Sequence, residues 1–180
     1  MDAYSLGKMT GVTAGLLIGF LVVAVIAVIC NKNRKLKTQY DERQQIARGK
    51  GFRFGFYSMI AWAVINEILA FGAIELPIEP AMMAFSYIFI GVATDVTYCI
   101  FHDAYWGLNN NKMRYLICFL FVAALNVFVV IRTLRSGELF VDGRLGTYGI
   151  NAFCALLFVL IGIAIAIQMI REKSAGKETE

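Results

Sequence analysis

Four side chains that could take part in chemistry lie close together near residue 100. Asp95, Cys99, His102 and Asp103 follow one another at steps of four, three and one, so a helix would place them on one face. Carboxylate, thiolate and imidazole groups bind zinc, and they also act as acids, bases and nucleophiles. The chain contains only 1 histidine, so a metal site would need ligands from other segments. The polar end of a helix is the simpler interpretation.

A second set of polar side chains falls inside long apolar segments. It consists of Asn66, Glu67 and Asn126, together with Asp95. A charge in the core of a bilayer costs about 2.5 kcal/mol or more, so such residues normally face protein or water. Glu67 and Asn126 have similar predicted depths and could form a hydrogen bond between two helices. The alternatives are a proton or ion relay and a substrate-binding role.

Familiar catalytic motifs are missing from the sequence. There is no GxSxG elbow, and the GKG sequence at residues 49–51 lacks the flanking pattern of a phosphate-binding loop. No CxxC pair is present, which argues against a disulfide framework or a zinc site. All four cysteines lie inside or at the rim of apolar segments: Cys30, Cys99, Cys118 and Cys154. We therefore predict no catalytic residue, no cofactor and no bound metal.

The candidate residues are set in a chain that alternates between long apolar segments and short charged ones. Of its 180 residues, 59% are hydrophobic and 17% are charged. About 20 apolar residues suffice to span a bilayer as a helix. We predict an all-α, polytopic transmembrane bundle that forms one membrane domain over residues 1–180. Five spans are expected, at about residues 9–30, 54–74, 81–101, 115–131 and 149–170.

The segments between the spans carry turn signals. Pro77 and Pro80 separate the second and third spans, where proline can end one helix and begin the next. The outer loop, residues 132–148, contains Asp142-Gly143, a pair favoured in two-residue hairpin turns, so a small hairpin is one interpretation of this loop. The charged tail, residues 171–180, is predicted to be frayed.

Orientation follows from the distribution of lysine and arginine, which are enriched in cytoplasmic loops. Thirteen of the 17 Lys and Arg residues fall on the side that holds residues 31–53, 102–114 and 171–180, and four fall on the other side. The sequence therefore predicts a multi-pass protein of the plasma membrane with its N-terminus outside and its C-terminus in the cytoplasm.

Residues 31–53 form a basic cytoplasmic segment with eight cations and two anions. The charge excess can be read as the topology signal alone. It can also be read as an amphipathic helix at the inner leaflet, whose Lys and Arg side chains bind anionic lipid headgroups or a cytoplasmic partner. A nucleic-acid partner is not expected, because no groove-reading fold is present and the segment is tethered to the membrane.

Glycines recur every four residues in and near the first span: Gly7, Gly11, Gly15 and Gly19. Such spacing lies near one helix face, and glycine lets a neighbouring backbone approach closely. The face could pack against other helices of the same chain, or it could bind a second copy or a membrane protein partner. Both alternatives stay open on the sequence.

The stretch DERQQIARGKGFRFGF, residues 41–56, resembles a signature of small multi-span bacterial membrane proteins of unknown function. In that group an Asp-Glu-Arg motif lies on a cytoplasmic segment between hydrophobic helices, and Asp41, Glu42 and Arg43 match it. The resemblance implies a bacterial plasma-membrane protein and carries no established chemistry. From the residues themselves, Asp41 is suited to begin a helix with Glu42 and Arg43 in its first turn.

Three functional hypotheses follow. The leading one is a non-enzymatic membrane protein that acts through helix–helix and inner-leaflet interactions, as a regulatory or accessory subunit. The second is a small transporter, channel or immunity-type protein with a polar path past Glu67 and Asp95. The third is a membrane enzyme acting on lipid or peptide near Asp95, Cys99 and His102.

Overall fold

The computed structural model describes residues 40–108 and 111–177, and scattered positions from Gly7 to Val25. Side chains are described as far as residue 174. Residues Met1–Gln39 and Tyr40–Glu180 are two separate compact units. The described positions of the first unit are helical, but most of the predicted first span lies outside the described residues.

The second unit is built almost entirely of helices. Their order is α1 (Glu42–Phe71), α2 (Pro80–Phe101), α3 (Lys112–Ser136) and α4 (Gly149–Lys177). A short hairpin, β1 (Phe140–Val141) and β2 (Arg144–Leu145), lies between α3 and α4. Within the described residues, all four helices are long and apolar enough to cross a membrane. The prediction of an all-helical protein with several helices apolar enough to span a membrane is confirmed for these four segments.

Helix α1 begins well before the predicted second span, because its start is capped. The Asp41 carboxylate accepts a hydrogen bond from the Gln44 backbone N–H at 2.6 Å, and the Gln44 side chain accepts one from the Asp41 N–H at 3.3 Å. This capping box satisfies two amide groups that a helix start leaves unpaired. The prediction that Asp41 begins a helix is confirmed. Residues 42–53 are helical and continue directly into the span. The alternative of an amphipathic helix in the basic segment stays a prediction, because residues 31–39 lie outside the described residues.

The other helix boundaries are close to prediction, with two extensions. Helix α3 is longer than residues 115–131 at both ends, since the Asn111 side chain caps its start and left-handed Gly137 ends it. Helix α4 continues to Lys177, so the predicted fraying of the tail is wrong for residues 171–177. Pro80 occupies the first turn of α2, as the sequence predicted.

The helices pack in the order α1–α2–α4–α3. Buried Ile100 and Trp106 contact α4 through Ile161, Ala164 and Ile165, and this cluster is the main apolar core. Phe119 of α3 and Phe158 of α4 stack with ring centroids 5.6 Å apart, which extends the core to α3. Helix α1 is peripheral in the described unit: its buried residues are confined to one stripe, which consists of Gln44, Ala47, Gly51 and Gly55.

Glycines form the seam between α1 and α2. A Cβ atom added at Gly55 would lie 2.7 Å from the Gly91 carbonyl oxygen and 3.1 Å from the Asp95 Cβ. One added at Gly51 would lie 2.6 Å from Asp95 Oδ1 and 2.8 Å from Cys99 Sγ. Helices in lipid associate through such close backbone approach, because lipid tails are as apolar as the helix surfaces.

The opposite end of the unit is closed by the hairpin. Asp142 and Gly143 have φ of 49° and 75°, the left-handed pair that a tight hairpin turn requires. The predicted alternative of a small hairpin is therefore confirmed. Leu145 accepts a hydrogen bond from Glu79 N–H at 3.1 Å and donates one to the Pro77 carbonyl at 2.8 Å, which holds the hairpin against the turn between α1 and α2.

We expect Gly55→Val to weaken the seam between α1 and α2. The new side chain would overlap the Gly91 carbonyl, a backbone atom that cannot move aside without separating the helices. Overpacking of this kind costs about 1–3 kcal/mol of unfolding free energy. Unfolding in detergent, followed by circular dichroism, measures the change.

Gly49→Val is the matched control, because an added Cβ at Gly49 meets nothing within 4 Å. The two variants share the same change in helix propensity. Equal stability of the two proteins would contradict the close approach at Gly55.

Candidate functional site

Polar side chains from all four helices meet at one end of the unit, which we call the basic end. It comprises the start of α1, the loop at residues 102–108 after α2, the start of α3 and the last turns of α4. Hydrogen bonds from Gln44 to Asp103 and from Lys112 to Glu172 join these parts. The structure thus brings together three of the segments that the sequence assigned to one side of the membrane.

The loop after α2 begins with a left-handed aspartate. Asp103 has φ of 54°, and its N–H donates to the Ile100 carbonyl at 3.1 Å while the Ala104 N–H donates to the Cys99 carbonyl at 2.8 Å. This is the Schellman arrangement that ends many helices, with aspartate in the place usually taken by glycine. The turn points the backbone carbonyls of residues 103–106 toward α1.

Three side chains at the start of α1 bind those carbonyls. Gln44 Nε2 donates to the Asp103 carbonyl at 2.6 Å, Arg48 Nη1 to the Ala104 carbonyl at 3.3 Å, and Tyr40 Oη to the Tyr105 carbonyl at 3.4 Å. Arg48 also donates to Tyr40 Oη at 3.0 Å. These groups were missed by sequence reasoning, although Tyr40, Gln44 and Arg48 recur at steps of four, the spacing of one helix face.

The Asp103 side chain turns away from α1 and binds α3 and α4. Its Oδ1 lies 3.0 Å from Lys112 Nζ, and its Oδ2 accepts a hydrogen bond from Gln168 Nε2 at 3.1 Å. Lys112 also pairs with Glu172. Partial burial opposes ionisation, but the hydrogen bond and charge of Lys112 outweigh it and leave the pKa of Asp103 below its ordinary value.

A groove of about 370 Å³ runs between α1 and the end of α2. We call it the basic groove, because three of its side chains can carry positive charge: Arg43, Lys50 and His102. Its remaining lining is mostly apolar and consists of Ile46, Ala47, Tyr98, Phe101 and Asp103. In the part of the chain that the structure describes, Arg43 and Lys50 form no hydrogen bond or ion pair, and both are exposed.

The His102 ring has a defined orientation at the edge of the groove. Its Nδ1 lies 2.9 Å from the Tyr98 carbonyl, and its ring stacks on that of Tyr98 with centroids 3.9 Å apart. A carbonyl only accepts hydrogen bonds, so Nδ1 must carry the proton in this contact. Nε2 is therefore the ring nitrogen left for a ligand.

The four residues predicted as one chemical cluster divide into separate environments. Cys99 Sγ lies 3.4 Å from Asp95 Oδ1, and both side chains pack closely against Gly51 in the seam. His102 faces the basic groove, whereas the Asp103 carboxylate faces Lys112. Among the residues that the structure describes, no three His, Cys, Asp or Glu side chains converge as they would around a metal ion.

The polar residues inside the spans are also dispersed. Asn66 Nδ2 donates to Met83 Sδ at 3.1 Å across the α1–α2 seam, and Glu67 is exposed. Asn126 Nδ2 donates to the Val122 carbonyl of its own helix at 2.8 Å. The predicted hydrogen bond between Glu67 and Asn126 is wrong, because their helices stand at opposite ends of the packing order.

The predicted glycine face is described only in part. Gly7 and Gly11 are helical, and an added Cβ at either would meet nothing within 4 Å. Gly15 and Gly19 lie outside the described residues. The role of this face in packing or assembly stays a prediction. The glycines seen in close contact, Gly51, Gly55 and Gly91, were not singled out by sequence reasoning, although Gly51 and Gly55 have the same four-residue spacing.

The stability of the basic end should depend on pH through Asp103. Because its folded pKa lies below the ordinary value of 3.8, its carboxylate stabilises the fold above about pH 4, and this contribution is lost as the pH falls through the folded pKa. Asp103→Asn should therefore be less stable than the parent protein at pH 7, by about 1 kcal/mol for a partly exposed pair. The difference should narrow below about pH 4. Thermal unfolding in detergent across this acid-to-neutral range measures it.

Glu75→Gln is the control for this experiment. Glu75 pairs with Arg144 at the hairpin end, where its side chain is 73% exposed. Exposed ion pairs contribute little to stability, so this variant should be about as stable as the parent protein at every pH. A stability difference for Asp103→Asn that does not change with pH would contradict the role assigned to its carboxylate.

Comparison with known proteins supplies no relative from which a function could be transferred. No protein-family model, curated protein or solved structure matches this chain.

Proposed function

We propose that the chain is a non-enzymatic membrane protein that acts through helix–helix contacts and through contacts with the inner leaflet, as a regulatory or accessory subunit. One observation carries the proposal. The polar groups best placed for chemistry bind the protein itself, whereas the neighbouring cations of α1 point outward without described partners. Asp95 and Cys99 are used in a helix seam, and Asp103 is used in an ion pair.

The outward cations lie where they would meet lipid headgroups. Helix α1 has 30 residues, which is about 45 Å of helix and more than the hydrocarbon thickness of roughly 30 Å. Its apolar part begins at Phe54, so its first three turns extend beyond the hydrocarbon. Arg43, Lys50 and Arg53 are exposed on these turns. Such cations add affinity for an anionic membrane surface.

The apolar half of α1 offers surface for contact between helices. Beyond its seam with α2, the described structure leaves these large side chains exposed: Phe56, Tyr57, Ile60, Val64, Ile65, Ile68 and Phe71. Lipid can cover this surface, and so can another helix. A partner helix here, or at the glycine face of the first span, would fit an accessory subunit or a homo-oligomer.

The proposal includes five spans in the plasma membrane, with the N-terminus outside and the basic end in the cytoplasm. The Lys and Arg distribution supports this orientation. So does the joining of the start of α1 to the last turns of α4 through the Asp103 cluster, since both carry the cations assigned to the inside.

Topology can be tested with single cysteines in a background without the native four. A cysteine at Lys35 and one at Ser174 should react with a membrane-impermeant maleimide only in inverted vesicles. One at Asp142 should react only in intact cells. Labelling of Lys35 and Ser174 from opposite faces would overturn the predicted topology.

Self-association can be tested by replacing glycines of the first span. Gly11→Ile with Gly15→Ile should abolish a homo-oligomer or a partner complex, because bulky side chains would prevent close backbone approach. Crosslinking in membranes and mass measurement in mild detergent report the assembly. Thr13→Ile with Leu17→Ile is the matched control, because each position lies about 200° around a helix from the glycine two residues before it. Assembly that survives the glycine substitutions would exclude this docking face.

A further inference from the structure

We propose that the basic groove is a binding site for the phosphate-bearing headgroup of an anionic phospholipid. This inference rests on the proposed function and deepens it, since it replaces a diffuse attraction to the inner leaflet by a defined site. The occupant is a glycerophospholipid with a net negative headgroup, such as phosphatidylglycerol. Its recognition elements are the cations of the groove and the apolar side chains beside them, which we call the apolar wall.

Two cations line the same groove, and neither forms an ion pair with a described residue. Arg43 and Lys50 lie two turns apart on the same face of α1, and both line the groove. Arg48, by contrast, binds the loop after α2 and lies over the Tyr40 ring at 4.4 Å. The fold therefore uses one arginine for structure, and two neighbouring cations have no partner among the described residues. Charge-assisted hydrogen bonds from such groups to phosphate oxygens are among the stronger polar contacts.

His102 adds a third polar group on the facing helix end. Its stacking on Tyr98 and its Nδ1 contact with the Tyr98 carbonyl hold the ring in place. In the neutral ring Nε2 accepts a hydrogen bond from a headgroup hydroxyl, and in the imidazolium form Nε2–H donates one to a phosphate oxygen. Because the orientation of the ring is already fixed, binding a ligand would cost less side-chain conformational entropy.

Among the described residues that line the groove, Asp103 is the one acidic side chain, and its charge is compensated. Lys112 lies 3.0 Å from its Oδ1, and Gln168 binds its Oδ2 at 3.1 Å. The carboxylate is directed away from Arg43 and Lys50, toward α3 and α4. An anion in the groove therefore meets an excess of positive charge.

The apolar side of the groove favours a lipid over a free anion. Ile46, Phe101 and Tyr98 form the apolar side of the groove, and Phe54, the first residue of the span, packs on Tyr98 with ring centroids 5.1 Å apart. Lys50 lies only four residues before Phe54, about 6 Å along the helix axis. A phosphate held by Lys50 would thus lie at headgroup depth, with its glycerol and acyl chains against apolar side chains.

Lipid retention measured by native mass spectrometry tests the site. The full chain is purified in mild detergent and titrated with phosphatidylglycerol or with phosphatidylcholine that has the same acyl chains. We expect the parent protein to retain phosphatidylglycerol preferentially. Arg43→Gln with Lys50→Gln should weaken that retention about tenfold, and Lys50→Arg should preserve it, since arginine also binds phosphate.

The matched control removes the same charge elsewhere on the basic end. Arg114→Gln with Arg171→Gln takes away two exposed cations that do not line the groove. It should change phosphatidylglycerol retention less than about twofold, since only screened, diffuse attraction is lost. Equal losses in the two double variants would overturn the defined site in favour of diffuse attraction. Equal retention of the two lipids by the parent protein would overturn it as well.

Inorganic phosphate and glycerol 3-phosphate distinguish the two sources of the anion. Neither should displace the lipid at equal concentration, because neither contacts the apolar wall. Displacement by inorganic phosphate would show a free-anion site and overturn the lipid assignment. The assembly assay on the Arg43→Gln, Lys50→Gln protein separates this inference from the proposed function: intact assembly with unaltered lipid retention refutes only the headgroup site.

Discussion

Backbone hydrogen bonding is the constraint on which the structure depends. A chain in hydrocarbon must pair every N–H and C=O within its own segment, so apolar stretches of this length become helices. Each helix end still leaves unpaired groups, and the described ends show how they are satisfied. Asp41 and Gln44 cap α1, Asn111 caps α3, and left-handed Asp103 and Gly137 end α2 and α3. The caps at Asp41, Asn111 and Asp103 lie at the basic end, whereas Gly137 lies at the hairpin end.

The same environment decides how the helices associate. Because lipid gives no hydrophobic drive, contact depends on close packing and on polar bonds between helices. Gly51 and Gly55 let α1 approach α2 until the Asp95 and Cys99 side chains lie over Gly51. Asp95 and Cys99, whose types suggest metal binding or catalysis, therefore serve to pack two helices together. The residue types indicated which chemistry was possible, and the packing placed these side chains in a structural contact.

The cations of the basic end fall into two groups: some bind other parts of the protein, and others are exposed on its surface. Arg48 and Lys112 bind protein groups and hold the loop after α2 against its neighbours. Arg43 and Lys50 make no such bonds in the described structure and border a groove whose remaining lining is mostly apolar. Cations beside apolar side chains match the chemistry of a phospholipid, which carries a phosphate and acyl chains. The proposed role at the inner leaflet follows from this division.

The sequence by itself determined the local features: four of the five predicted apolar helices, the start of α1 at Asp41, Pro80 in the first turn of α2, and the Asp-Gly turn as one interpretation of the outer loop. Each depends on residues within a few positions of one another. Only the tertiary structure decided which distant side chains meet, such as Gln44 with the Asp103 carbonyl. It also kept Glu67 apart from Asn126. Helices that are apolar around most of their circumference carry little periodic signal, so their order and rotation are set by packing.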